Sequence, residues 1–446
     1  MKKKLAYLFV AIIIVVLVLY LFRYKRSLIV ENKIPITATE IVHIDLRQIE
    51  HHLLVDAIKN PFKYISFKTE KKKERLSFNE AISVPRNLLF FTNTSSFKGA
   101  WFSNIIELKN NAKLRSYLLQ EGFEESIDET LELYRKDKMI LAVSGENLLI
   151  VYKKQKQIPV RTVIQSIFNE TSFYKKDTDL LKSISNSKSD MAYTNLNADF
   201  LDANFKNGCF EIKGKLHSNL FIADAYAENP KHSIGFLSTR INKDHQVFKS
   251  LISDKNKTKF REFAKLSIDS IIDHWNGSAV INLKAVHKEI DTIVTYEYDD
   301  DFNKIEKKSV QELNIPHAVI SLGSDAKLYE YFYRGKAIQI IDNDTLFAGM
   351  PLYKMYVRRH ENNLNIFTQK QFESSFIKEK KYKLNTYIDI SKYLDTPLEF
   401  SLMPNKKDYF QLLKDVSAKL TLSDELLIQV RLKENNRNFL SQFLKP

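Results

Sequence analysis

The chain has 446 residues, 44% of them hydrophobic and 12% aromatic, with a formal charge of +14. That apolar content excludes a disordered tether, ten glycines and ten prolines exclude collagen-like repeats, and the lone cysteine, Cys209, excludes an internal disulfide. Six of the cations flank the first apolar stretch, so the remainder is only mildly basic. Without a recognisable module, its lysine runs read as solvated loops and not as a nucleic-acid surface.

Leu5 to Phe22 (LAYLFVAIIIVVLVLYLF) carries no charge, and lies between Lys2, Lys3, Lys4 and Arg23, Lys25, Arg26. At ~1.5 Å per residue a helix here reaches roughly 27 Å, the thickness of a bilayer core. The run exceeds a signal-peptide core, and bulky basic residues stand where a cleavage site would need small ones. The expectation is an uncleaved transmembrane anchor over 1–26. Its short N-terminal tail stays in the cytoplasm and the large remainder is exported. Residues 27–38 read as a linker.

Thr39 to Asp45 (TEIVHID) predicts a strand, and Arg47 to Lys59 an amphipathic helix stopped by Pro61. The unit recurs in DMAYTNLNADFL (190–201), SAVINLKAVH (278–287) and NTYIDISKYL (385–394). In each, an Asp or Asn (Asp45, Asn195, Asn282, Asp389) stands where strand is expected to turn into helix. A short polar side chain can bond the backbone there, which reads as a cap and not as a catalytic group.

Paired arms around a polar turn predict hairpins at 139–154 and 353–370, and again at 210–227 and 416–433. Strand centres fall near 43, 89, 148, 193 and 212, then near 281, 319, 363, 387 and 419. The common order implies a tandem duplication, with α+β halves over 39–228 and 229–446. The expected fold class is therefore α+β: an N-terminal transmembrane helix, then antiparallel sheets with covering helices in two similar halves. Thr258 to Trp275 predicts one covering helix ending at Asn276-Gly277. Ile290 to Val310 predicts a long hairpin with an acidic tip, Asp299-Asp300-Asp301.

Candidate chemistry is sparse. Asp299, Asp301 and Asn303 match the first three ligands of a calcium loop, but Lys304 replaces the required glycine and Val310 the final carboxylate. His43, Asp45, Glu50, His51 and His52 form the dense histidine region, without HExxH or a zinc-ligand spacing. GxSxG, GxxxxGK(S/T) and GxGxxG are all missing. Gly208 before Cys209 suggests a strand start, and the thiol reads as buried and inert. No catalytic residue, cofactor or metal ligand is therefore assigned.

The segment IPITATEIVHIDLRQI (34–49) resembles the start of uncharacterised membrane-anchored or lipid-anchored envelope proteins of Bacteroidetes-type bacteria. They open on a proline and a small residue, followed by an apolar strand ending in Asp or Asn and Leu. The resemblance implies an envelope location and an α+β repeat fold, with no active site. The transmembrane anchor, in place of a lipid-modified cysteine, departs from that pattern. The resulting expectation is a single-pass, inner-membrane, largely periplasmic protein that acts as a binding or assembly scaffold for an envelope partner. The alternatives are a lipid or small-ligand binding module and a divergent envelope hydrolase.

Overall fold

A computed structural model describes residues 23–443 apart from 26, 31, 65–76, 94–100, 129–130, 154–159, 224–232, 299–302, 349–352, 361, 371–381 and 397–406. The chain falls into two compact units. The first ends at His217 and regains the chain at Asn435; the second is Ser218–Glu434. The expected division at 228/229 thus falls at 217/218, and the last residues return to the first unit. Gly208 N donates to Arg437 O (2.7 Å) and Phe439 N to Lys206 O (2.9 Å), and the rings of Phe205, Phe210 and Phe439 pack together.

The first unit contains β1 (Glu40–Asp45), α1 (Leu46–Lys59), α2 (Phe78–Ala81), β2 (Asn87–Thr92), β3 (Trp101–Glu107) and α3 (Asn111–Gln120). There follow β4 (Glu124–Asp128), β5 (Leu131–Lys136), β6 (Met139–Ser144), β7 (Asn147–Lys153), α4 (Val160–Phe168), α5 (Asp179–Asn186), β8 (Met191–Asn195), β9 (Phe200–Lys206) and β10 (Cys209–Lys215). The strands form one antiparallel sheet in the order 4-5-6-7-3-2-1-8-9-10.

Strand β6 shows why the apolar run MILAV does not alternate with polar residues. Ile140 and Ala142 join one core with Ile164, Leu181 and Ile184 from α4 and α5, while Leu141 and Val143 join another with Leu114 and Leu118 from α3. Side chains alternate across a strand, so a strand covered on both faces must be apolar throughout.

The second unit contains β11 (Phe221–Ile222), β12 (Gly235–Ile241), α6 (Gln246–Leu251), α7 (Asp254–Ala264), α8 (Ile268–His274), β13 (Trp275–Tyr298), β14 (Lys304–Ser324) and α9 (Ala326–Arg334). Then come β15 (Ile338–Ile341), β16 (Asp344–Phe347), β17 (Tyr356–His360), β18 (Asn363–Phe367), β19 (Tyr382–Asp389), α10 (Ile390–Asp395), α11 (Lys407–Leu412), β20 (Leu413–Thr421) and β21 (Glu425–Leu432). The sheet order is 15-16-17-18-14-13-12-19-20-21. Counted from its own first full strand, each unit has the same order; β11 additionally pairs the end of β12.

The structure corrects several expectations. Strand dominates, and among the described residues no helix is long and apolar enough to cross a membrane. The transmembrane part of the expected fold class is therefore not carried forward; Leu5–Phe22 lies outside the described residues. The single helix expected over 258–275 is two, because Lys265 takes a left-handed φ of 57° and Leu266 turns into the core. Trp275 then starts a strand, and Gly277 serves not as a cap but as a crossing point. Its φ is +94°, and a Cβ there would lie 2.2 Å from Ile241 O.

Asn282 lies mid-strand, opposite Phe236 and Val319, because ladder partners on both sides override the helical reading of LKAVH. The described part of the hairpin expected over 210–227 does not pair with itself, since β10 pairs with β9 and β11 with β12; residues 224–227 lie outside the described residues. The strand near 43 corresponds in sheet position to β12, which the sequence reading passed over, and not to the strand near 281.

Candidate functional site

The feature of the second unit that most invites a partner is the outer part of β13 and β14. Their inner rungs are flanked by β12, whose pairing reaches Leu283 of β13, and by β18, whose pairing starts at Val319 of β14. From Val286↔Pro316 to Tyr298↔Lys304 the two strands pair only with each other among the described residues. At ~3.4 Å per residue this ribbon runs roughly 40 Å.

Residues opposed across a rung share a face. One face therefore carries Ile290, Val294, Tyr296 and Val310, which are 74%, 41%, 54% and 70% exposed. The ribbon's charges are largely engaged with one another: Lys288–Glu312 at 2.8 Å, Lys307–Glu297 at 2.7 Å and Lys308–Glu306 at 3.2 Å. The Lys288 ammonium holds the Glu312 carboxyl below its usual range. A lone two-stranded hairpin is marginal in water, and its open edges offer unpaired backbone groups.

The dense histidine region does not converge on a common point. Asp45 caps α1, accepting Gln48 N at 3.0 Å. His43 is buried, and its Nε2 donates to Asn87 Oδ1 at 2.7 Å; the Asn87 amide in turn donates to Ser27 O at 2.6 Å, which fixes that tautomer. Glu50 takes hydrogen bonds from Arg47 (2.6 Å) and Arg23. Burial alone would raise its pKa, but the two guanidinium groups outweigh it and hold it low.

His51 lies against Tyr24, and burial lowers its pKa. His52 Nδ1 lies 3.3 Å from Oδ1 of the fully buried Asp190, whose other oxygen accepts Phe205 N at 2.6 Å. The nearby Asp190 carboxylate raises the His52 pKa against the opposing effect of burial. Among the described residues no three His, Cys, Asp or Glu side chains are placed to hold a metal ion. Asp299, Asp300 and Asp301 lie outside them.

Two further constellations were not singled out from the sequence. Asp199 Oδ1 accepts both His217 N (2.6 Å) and His217 Nδ1 (2.9 Å), while Asn195 Nδ2 donates to Asp199 Oδ2 (2.8 Å). Asn195 Oδ1 accepts Asn197 N and Asp199 N, so the group ties the β8–β9 turn to the chain after β10. Asn195 is thus a turn residue, whereas Asp389 does cap α10, accepting Lys392 N at 2.9 Å.

In the second unit a recess of about 490 Å³ is lined by Tyr329, Asp344, Tyr356, Arg358, Arg359 and Lys370, among others. Lys370 (2.8 Å) and Lys354 (3.5 Å) hold Asp344 ionised below the usual carboxylate range. Cys209 opens β10, as expected, and is partly buried.

No protein family and no curated protein matches the chain. Among solved structures, crystal forms I and IV of TP0453 are similar at 9% and 8% identity, with TM-scores of 0.23 and 0.24. Each comparison covers 77% of this chain and 93% of the other. A likeness this slight carries no argument about function.

Proposed function

We propose that the chain is a non-enzymatic binding or assembly protein of the cell envelope, and that the β13–β14 ribbon docks an extended segment of a partner protein. The ribbon's geometry carries this reading. Among the described residues neither strand has a further ladder partner there, one face carries four exposed apolar side chains, and the charges are largely engaged internally. An added strand would use the unpaired backbone groups for affinity and the apolar side chains for specificity. The envelope setting draws on the resemblance of residues 34–49 to the start of envelope proteins. The non-enzymatic reading draws on the buried His and carboxylate groups, which are engaged in caps, turns and strand ties.

The test is photocrosslinking in cells that express the full chain, with p-benzoylphenylalanine replacing Tyr296 in one strain and Tyr152, an exposed residue of the first unit, in another. One dominant protein adduct from position 296 and none from 152 is the expected result. Equal or no adducts from the two positions would sink the docking reading.

A further inference from the structure

Strands β2 and β3 are neighbours in the first sheet, yet their ladder holds at one rung, Phe91↔Ser103. Toward Asn87 and Glu107 the strands part, and the opening forms a recess of about 200 Å³, several times the roughly 30 Å³ share of one water. Its lining includes Lys33, Arg86, Asn87, Leu89, Asn104 and Glu107.

Three observations define its chemistry. Asn104 is 3% exposed; its Nδ2 donates to Leu89 O at 2.8 Å, while its Oδ1 has no hydrogen-bond partner among the described residues. The carbonyl can only accept, so the amide cannot be turned over without losing that bond. The orphan atom belongs to a residue that lines the recess and is an acceptor, and a buried acceptor calls for a donor. Next, Lys33 and Arg86 line the recess against a single carboxylate, Glu107. Arg86 reaches only Ser27 Oγ, at 3.3 Å, and neither cation makes an ion pair among the described residues. Finally, Lys33 is partly buried, and desolvation lowers its pKa, with only partial relief from Glu107.

We infer that this recess binds a small carboxylate bearing a hydroxyl or amino group, with the acid on Lys33 and Arg86 and the donor on Asn104 Oδ1. The size limits the ligand to a few heavy atoms. This site is in the first unit and does not depend on the ribbon reading.

The experiment is titration of the full chain, followed by calorimetry, with glycolate, L-lactate, L-alanine and propionate. Propionate has the charge and lacks the donor. Glycolate or lactate against alanine separates hydroxy acids from amino acids. The expected result is a Kd of about 1 mM or tighter for at least one donor-bearing acid, with propionate and the Lys33→Gln protein each weaker by about tenfold or more. Lys33 lies on a partly exposed segment before β1, so the substitution leaves the sheet intact; an unchanged melting temperature checks this. Absence of binding by every probe would overturn the inference and leave the recess as a hydrated slot. Binding that is indifferent to both the donor and Lys33 would overturn it as well.

Discussion

Removal of the Asp56 carboxylate should detach the end of the chain from α1. Asp56 is 4% exposed. Its Oδ1 accepts Asn438 N at 2.9 Å and Asn60 Nδ2 at 3.2 Å, its Oδ2 accepts the Tyr64 hydroxyl, and Arg437 Nε lies 3.9 Å away. Breaking a buried charged pair costs about 3–5 kcal/mol, and a hydrogen bond to a charged group contributes roughly 1.5–3 kcal/mol. The Arg437 contact is long, so Asp56→Ala should fall at the lower end, about 3 kcal/mol. At ~2–4 °C per kcal/mol, melting of the first unit drops by roughly 6–12 °C. Asp56→Asn keeps an acceptor for Asn438 N and should lose about half as much.

Burial alone would raise the Asp56 pKa, but hydrogen bonds from Tyr64 and Asn438 outweigh it and hold it below the ordinary 3.8. A depressed folded-state pKa gives stability that is present above the unfolded value and lost as pH falls through the folded one. The difference between wild type and Asp56→Ala should therefore shrink in acid. Scanning calorimetry reads the transition, and amide exchange at Asn438 reads the tie itself. A fall under about 2 °C with Asn438 still protected would refute the argument.

Three further outcomes are expected. The raised His52 pKa contributes stability that is fully present below the ordinary 6.5 and is lost as pH rises through the folded-state value; His52→Gln should flatten that part of the urea-midpoint profile, and an unchanged profile would remove Asp190 as its cause. Gly277→Ala forces a Cβ against Ile241 O at a positive φ, so it should destabilise the second unit by about 2 kcal/mol or more, read as a lowered urea midpoint; a neutral result would show that the crossing can relax. Asp389→Ala removes the α10 cap and should lower stability by about 1 kcal/mol in the same assay.

Local chemistry was legible in the sequence where it acts over a few residues. Asp45 and Asp389 stand three residues before the amides they cap, and the arms expected to pair within 139–154 and 353–370 do so as β6–β7 and β17–β18. Other features depend on contacts that spacing cannot reveal. Residues 258–275 have helical periodicity throughout, yet burial of Leu266 favours a left-handed break at Lys265. Asn282 resembles a cap until β12 and β14 claim its backbone.

The long ribbon could be read from alternation in 290–298, but its isolation from the rest of the sheet could not, because that depends on where β12 and β18 stop. The Asp199–His217 pair and the recess at Asn104 left no motif. They arise from a turn closed across 18 residues and from a ladder that fails after one rung.

The return of the C-terminus to the first unit has a consequence for biogenesis. Asp56 and its backbone donor at Asn438 are 382 residues apart. At ~5–20 residues per second, about 20–75 s separate their synthesis. Throughout that interval α1 carries a carboxylate whose donors from Asn438 and Arg437 are still untranslated, while the whole second unit is made. A ribosome that stops before Asn438 leaves α1 without this contact, so closure of the first unit has to wait until the second unit has been made.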